Sequence, residues 1–475
     1  MTSTAIVWLR RDLRLHDHPP LARALAVHDR VIPVFVLDPV LLHGRFASAP
    51  RTAFLLDCLR ELDAGMRERG GGLVIRHGQP ARELCELAAA TRARAVYWSS
   101  DATPYAHARD RRVRAALAAA GVEAVSGPGT FVADVDAPRT AGGRPFAVFT
   151  PFQRAWDRLE RRPVHRAPRR LPPLPRGLDR GAIPTLAQLS LPRADTLAEP
   201  AVAPGETAAR AALARFLAGD LAGYAERHDR LAGGTSQLSP HLRFGTLSAR
   251  EVEARARRRG GAGAEAFVRQ LAWRDFLAHV LLHHPGNRLH EHRPRMRALG
   301  WDEDPALLAA WQDGRTGYPL IDAGMRELRA SGWMHNRARL VVGSFLTKDL
   351  QLDWRAGEAW FMRWLLDGDV AQNNGNWQWI ASVGVDPAPV FRRLLNPALQ
   401  QRRHDPDGAY VRRWVPELRD VPDELLAEPW RMSAADQAQA GCVIGRDYPA
   451  PVVDHAVERK RALARYRAAA ASAGG

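Results

Sequence analysis

Residues 31–38 read VIPVFVLD, a run that is apolar throughout until Asp38 ends it. A strand with one face in water alternates apolar and polar residues, so an unbroken run of this length is a strand buried on both faces. Three more such runs stand in the first hundred residues: AIVWL (5–9), LVIRH (73–77) and AVYWS (95–99). Helical patterns lie between them, RTAFLLDCLRELDAGMRE (51–68) being the longest. Strand–helix alternation predicts an α/β half with a parallel sheet and helices on both faces. The first strand is not followed by GxGxxG, and Gly70–Gly72 precede a strand instead. The expected half is therefore nucleotide-like (Rossmann-like) without the dinucleotide fingerprint.

A chain of 475 residues predicts more than one domain. Residues 161–205 are rich in Pro and Arg and lack periodicity, as in RRPVHRAPRRLPPLPRG. After about 206 the pattern is helical. SARE (248–251) reads as a capping box, and AEAFVRQLAWRDFLAHVLLHH (264–284) as one long helix. The expected division is an α/β domain at 1–132, a linker at 133–205, a helical domain at 206–466 and a disordered tail at 467–475.

Net charge is +16, with Lys348 and Lys460 the only lysines. An excess of Arg predicts a polyanionic partner, nucleic acid first, although GC-rich coding also enriches Arg. Cys58, Cys85 and Cys442 are far apart and form no CxxC, so neither a zinc site nor an iron–sulfur cluster is expected. His283, His284, His290 and His292 have no ligand spacing and read as a surface loop. The N-terminus turns charged too early for a signal peptide, and no run of eighteen apolar residues suits a membrane span. These features predict a cytoplasmic, nucleoid-associated monomer.

Eleven of fourteen Trp fall after residue 270. Single tryptophans are ordinarily core filler, but several here stand beside Asp, Asn and Arg. In DGDVAQNNGNWQW (367–379), carboxylates, amides and indoles crowd together with no Cys or His to take a metal. In GGTSQLSPHLRFG (233–245), Thr235, Ser236 and Ser239 stand beside Gly at a helix start, which suits phosphate as well as an ordinary capped turn. Gln270, Trp273, Arg274 and Leu277 share one helical face by spacing, as do Asn336, Arg339 and Gly343. Gly343 would admit a backbone or a flat ring, and Arg339 would also suit a buried ion pair with an Asp of the 367–379 stretch.

With VWLRRDLRLHDHPPL (7–21), TSQLSPHLRFG, QLAWRDF, GYPLIDAGMRELRASGWMHNR, FLTKDLQLDWRAGE, the 367–379 stretch and YPAPVVDHAVERKRALARY (448–466), the chain resembles the photolyase/cryptochrome family over nearly all its length. It is most like the microbial class I cyclobutane pyrimidine dimer type. In that family the helical domain holds FAD and the α/β domain an antenna chromophore. A cyclobutane pyrimidine dimer in damaged DNA, double or single stranded, flips into a cavity above the flavin. Light drives an electron from FADH⁻ to the dimer, the ring opens, and the electron returns.

The resemblance implies that Asn373 faces flavin N5, that Asp367 pairs with Arg339 beside the ring, that Asp369 lies near its N3 edge, and that Gly368 is also at the cofactor. Tyr224, Thr235, Ser236, Gln237, Leu238 and Ser239 would hold phosphates and ribitol, with Gln270, Arg274 and Asn336 nearby. Trp377, Trp354 and Trp301 match the electron-transfer chain. Trp273 and Trp379 would flank the dimer. His228, Asn336, Arg337 and Arg392 would face the DNA. Catalytic roles fall to Gln270, Asn373, Trp273 and Trp379.

Asn336 and Leu340 stand where six–four photolyases carry histidines, and Asn373 where animal cryptochromes have Cys and plant cryptochromes Asp. Gln270 replaces the usual Glu, Leu340 the usual Met and His228 the usual Arg. Gln270 predicts slower ring splitting. The folate antenna expects a Glu near DATPYAHARD (101–110), and none is present, so deazaflavin is expected over methenyltetrahydrofolate. The competing expectation is a flavin photoreceptor with weak or no repair. Gln270 favours it. Trp273, Asn373 and the basic charge oppose it.

Overall fold

The computed structural model describes residues 3–191, 196–386 and 388–472. Its sheet has five parallel strands: β1 Thr4–Leu9, β2 Arg30–Leu37, β3 Val74–His77, β4 Ala95–Ser99 and β5 Glu123–Gly127, in the order β3-β2-β1-β4-β5. In β1, Val7 lies opposite Pro33 of β2 and Tyr97 of β4. Side chains alternate across a strand. Ala5, Val7 and Leu9 therefore pack with helices Pro19–Val27 and Ala49–Glu68, and Ile6 and Trp8 with helices Pro80–Thr91 and Pro104–Ala119. Both faces are covered, which is why β1 and β2 carry almost no polar residue. β5 was not expected. It reads EAVSG, is exposed or half-buried, and pairs only with β4, so no apolar run marks it.

Strand order reverses between β1 and β4, and crevices at the carboxyl ends of strands at such a point commonly take ligands. Here the crevice takes the helical half. Leu13 N donates to Phe244 O at 3.2 Å and Arg14 Nη1 to Gly245 O at 2.9 Å. Gly245, at φ 65°, ends the Ser239–Phe244 helix, and a Cβ there would lie 1.9 Å from Arg11 O. From the Ala49–Glu68 helix, Ser48 Oγ reaches Arg363 O at 2.7 Å, and Arg51 donates to the carbonyls of Met362 and Leu365.

The segment expected as a linker is in part structured. Helix Phe149–Arg158 buries Phe149, Phe152 and Trp156 in the core of the helical half, because apolar residues at i, i+3 and i+7 make one stripe. Leu171, Leu189 and Leu191 are buried with the sheet core. At the other end, helix His455–Ser472 runs through 467–472, part of the expected tail. Tyr466 and Ala469 are buried, and Tyr466 Oη donates to Ala381 O at 2.6 Å. Residues 473–475 lie outside the described residues.

Helix Gly261–His283 is the axis of the helical half, packing on Phe149–Arg158, Tyr224–Arg227, Ala249–Arg259 and Val370–Ile380. Of the expected capping box only one arm forms. Ser248 accepts from Glu251 N, while the Glu251 carboxylate is taken by Arg210 and His16.

Candidate functional site

Four local rules place the side chains around one cavity. Gly233, Gly234 and Gln237 adopt positive φ, turning the 233–238 loop so that Thr235, Ser236 and Gln237 line the space. Pro240 then starts the short helix Ser239–Phe244. His335 caps the Asn336–Ser344 helix through Nδ1, which accepts from Arg337 N at 3.1 Å. Asp369 caps the Val370–Ile380 helix, Oδ1 accepting from Ala371 N at 2.9 Å and Gln372 N at 3.0 Å.

The cavity measures about 1750 Å³, counted out to its open mouth. Tyr224, His228, Thr235, Ser236, Gln237, Leu238, Ser239, Gln270, Trp273, Arg274, Asn336, Arg339, Asp367, Asp369 and Trp379 all line it. A smaller recess of about 540 Å³ shares Asn336, Arg339, Asp367 and Asp369 with it and adds Gly368, Asn373 and Trp377. The face predicted from spacing on helix Gly261–His283, Gln270–Trp273–Arg274–Leu277, points into the cavity as a unit. On the Asn336–Ser344 helix, Asn336 and Arg339 line it too. Gly343 does not. A Cβ there would meet Ile380 Cγ2 at 3.0 Å, so its smallness serves helix packing.

Arg339 and Asp367 form a two-bond fork at 3.1 and 2.8 Å on the wall. Asn373 Nδ2 donates to Glu358 O at 2.9 Å, which fixes the amide and leaves Oδ1 as the end available to the recess. Among the described residues Trp377 Nε1 and His228 Nδ1 are buried beside this space without a hydrogen-bond partner, His228 Nδ1 lying 4.0 Å from Asp229 Oδ1. Trp333 Nε1 donates to Ser239 Oγ at 3.2 Å. At the mouth, Trp273 stacks on Phe149 with centroids 3.7 Å apart and planes 8° apart, and Trp379 Nε1 donates to Asp386 Oδ2 at 3.0 Å beneath the Arg393 guanidinium. Loop hydroxyls, a charged fork, an anchored amide with a free acceptor and buried ring nitrogens in one elongated space fit a flavin dinucleotide.

Some expected residues are committed elsewhere. Arg337 forms an ion pair with Asp229 through one guanidinium nitrogen. Arg274 donates through Nη1 to Thr130 O at 3.0 Å and through Nη2 to Leu242 O at 3.1 Å. Both Asp369 oxygens are engaged, one by the helix cap and one by Arg11. Trp301 and Trp354 lie off the cavity, Trp354 fully buried with Nε1 on Glu291 Oε1 at 3.2 Å. The rings around Trp377 are Phe361 at 5.0 Å and Trp311 at 6.2 Å, and no pair among Trp301, Trp354 and Trp377 is in ring contact among the described residues. Arg392 is exposed and has no side-chain partner among the described residues.

Sequence reasoning missed Asp229, Arg243, Phe267, Trp333 and Gln372 on the wall, and Phe149 behind Trp273. Phe149 lay in the presumed linker. Asp229 could have been found as the nearest acid to His228.

Residues 5–173 match the family described as DNA photolyase, and residues 267–468 the FAD binding domain of DNA photolyase. The deoxyribodipyrimidine photo-lyase of Streptomyces griseus is 44% identical, covering 97% of this chain and 98% of that protein. A bacterial class III photolyase from Agrobacterium tumefaciens superposes with a TM-score of 0.93 at 36% identity, covering 99% of this chain and 98% of that one. A Synechocystis cryptochrome superposes at 0.90 with 32% identity, covering 98% and 99%. The fold thus separates neither photolyase classes nor photolyases from cryptochromes, and the side chains must do so.

Proposed function

The chain belongs to the DNA photolyase family, and on that premise we propose how its cavity carries out light-dependent DNA repair. The activity is that of a deoxyribodipyrimidine photo-lyase, and the cofactor is FAD. Bound FAD supplies the absorption of light and the electron that splits the cyclobutane ring. The protein's part is to hold, orient and exclude.

Thr235, Ser236 and Ser239 offer hydroxyls to the phosphate and ribitol stretch. Asn373 Oδ1, freed by the bond from Nδ2 to Glu358 O, offers a neutral acceptor at the ring. A neutral amide adds no negative charge beside a reduced, anionic flavin, as a carboxylate would. The Arg339–Asp367 fork stiffens the wall in which that amide sits. Trp273 and Trp379 provide two flat apolar faces at the mouth for a flipped-out pyrimidine dimer, and Gln270 an exposed amide for its polar edge. Arg392 is the exposed cation for a DNA phosphate, setting register without reading sequence.

Domain boundaries of 1–132, 133–205 and 206–466, class I membership, a deazaflavin antenna, a monomeric state and a cytoplasmic location belong to the same reading. No helix among the described residues is long and apolar enough to cross a membrane.

The observation that carries the proposal is the convergence of anchored amide, charged fork, loop hydroxyls and mouth indoles on one space. The test is loss of a single thymine dimer from an oligonucleotide under near-UV light, by photoreduced protein, against a dark control. Light-dependent loss is expected. No loss with FAD bound and reduced would move the reading to a photoreceptor.

A further inference from the structure

We propose that Arg11, contributed by the α/β half, is a positioning residue for the cofactor cavity of the helical half, holding Asp369 in place from across the junction. The inference rests on the reading that this cavity holds FAD.

Arg11 stands just past the carboxyl end of β1, at the reversal point of the sheet, and Asp101 stands just past β4 on the other side of that point. One guanidinium nitrogen faces Asp101 Oδ2 at 3.4 Å and the other forms an ion pair with Asp369 Oδ2. Nε donates to Arg243 O at 3.3 Å, and Arg243 Nε in turn donates to Gly368 O at 2.8 Å. The Gly368–Asp369 corner, which lines the recess beside Asn373 and Trp377, is thus held at its side chain by Arg11 of the α/β half and at its backbone by Arg243 of the helical half, whose own carbonyl Arg11 contacts.

The side chains of Asp101, Arg11 and Asp369 are only 11%, 15% and 8% exposed. In a buried acid–base–acid row, removing the central cation takes the one shared ion-pair partner from both carboxylates and leaves each with weaker through-space attraction to other arginines. Among the described residues Arg11 is the cation that forms an ion pair with both carboxylates. Arg243 and Arg274 also act on Asp369 through space, while the hydrogen bonds they make go to the carbonyl oxygens of Gly368, Thr130 and Leu242. Burial pushes the Asp369 carboxyl up, and Arg11 and Arg243 outweigh it and hold it below the ordinary range. Asp369 does two things at once: Oδ1 starts the helix that carries Asn373 and Trp377, and Oδ2 answers to Arg11. Loss of Arg11 frees Oδ2 to turn and loosens the helix start that places Asn373.

The test compares full-length Arg11→Gln, Arg11→Lys and Asp101→Asn with the parent. Each is stripped of flavin and titrated with FAD, with far-UV circular dichroism and melting temperature measured on the same samples. A lost charged hydrogen bond predicts a rise in FAD dissociation constant of roughly tenfold or more for Arg11→Gln, with a changed visible spectrum of the bound flavin. Arg11→Lys restores binding to within about threefold of the parent, and Asp101→Asn falls between, in the same direction. Unchanged affinity and spectrum in a folded Arg11→Gln overturns the proposal. So does a lowered melting temperature with both flavin readouts intact, which would make Arg11 mere packing. If Arg11→Gln does not fold, Asp101→Asn decides by the same two readouts. A parent protein that takes up no FAD would instead overturn the reading of the cavity, and the proposal with it.

Discussion

Gly357→Ala gives a sharp test of how the cavity wall is built. Gly357 lies within the Trp354–Trp364 helix, where Ala is favoured over Gly by about 1 kcal/mol. A Cβ at that position would lie 2.1 Å from Trp377 Cη2 and 2.6 Å from both Cζ2 and Cζ3. Ordinary carbon contact begins near 3.5 Å, so the indole must retreat by about 1.4 Å. It has little room. Trp377 is 3% exposed, with Phe361 5.0 Å and Trp311 6.2 Å away by ring centroid, and the recess is the open side. Overpacking costs about 1–3 kcal/mol, and three sub-contact distances to one rigid ring put this case near the top of that range. Subtracting the helical gain leaves a net loss of about 2 kcal/mol. The measurement is denaturation of the flavin-free protein together with FAD titration. The melting temperature should fall by a few degrees, at about 2–4 °C per kcal/mol for a domain of this size, and FAD affinity should fall as the ring enters the recess. Gly65→Ala is the matched control. Gly65 lies inside the Ala49–Glu68 helix, and its added Cβ would have nothing nearer than 3.7 Å. It should raise stability by about 0.5–1 kcal/mol. A Gly357→Ala protein that also gains stability and binds FAD normally would refute the packing argument.

Gln270 is exposed at the cavity mouth with no side-chain partner among the described residues, so Gln270→Glu should raise repair yield per absorbed photon without moving FAD affinity; an unchanged yield would show that the carboxylate is not the missing element. Arg392→Ala should flatten the log–log dependence of DNA affinity on salt by about 0.9, as one phosphate contact is lost, whereas Arg337→Ala should change it less because that guanidinium is held by Asp229. Burial pushes the His335 imidazole down to about 4, below its ordinary value of about 6.5, and Nδ1 can accept the helix-capping bond only while unprotonated. Its folded pKa being depressed, the stability it contributes is complete above pH about 6.5 and is lost as pH falls towards about 4. Glu327, pushed up to about 7 by burial, acts with the opposite sign, so the check is differential: His335→Asn should lose less stability than the parent over that interval.

The sequence by itself determined what periodicity and residue type can carry. Four strands were legible because burial on both faces leaves an apolar run. Helix Gly261–His283 and its Gln270–Trp273–Arg274–Leu277 face were legible because helical geometry fixes which positions share a side. The ordered motifs determined the family, and with it most residues lining the cavity. What the sequence could not carry was anything decided by partners far along the chain. β5 has no apolar run and exists because β4 offers it an edge. Helix Phe149–Arg158 sits in a Pro- and Arg-rich region, yet its three aromatic residues find the core beside Phe276. The motif places Arg337 toward DNA, but not the Asp229 that folding brings to it from 108 positions away. Asp369 is placed at the cofactor by its motif, but that Arg11, 358 positions away, meets its carboxylate is not legible there. Local pattern reports which face a side chain presents. Only the tertiary structure decides which charge meets it there, because charge pairing acts through space and leaves no period in the chain.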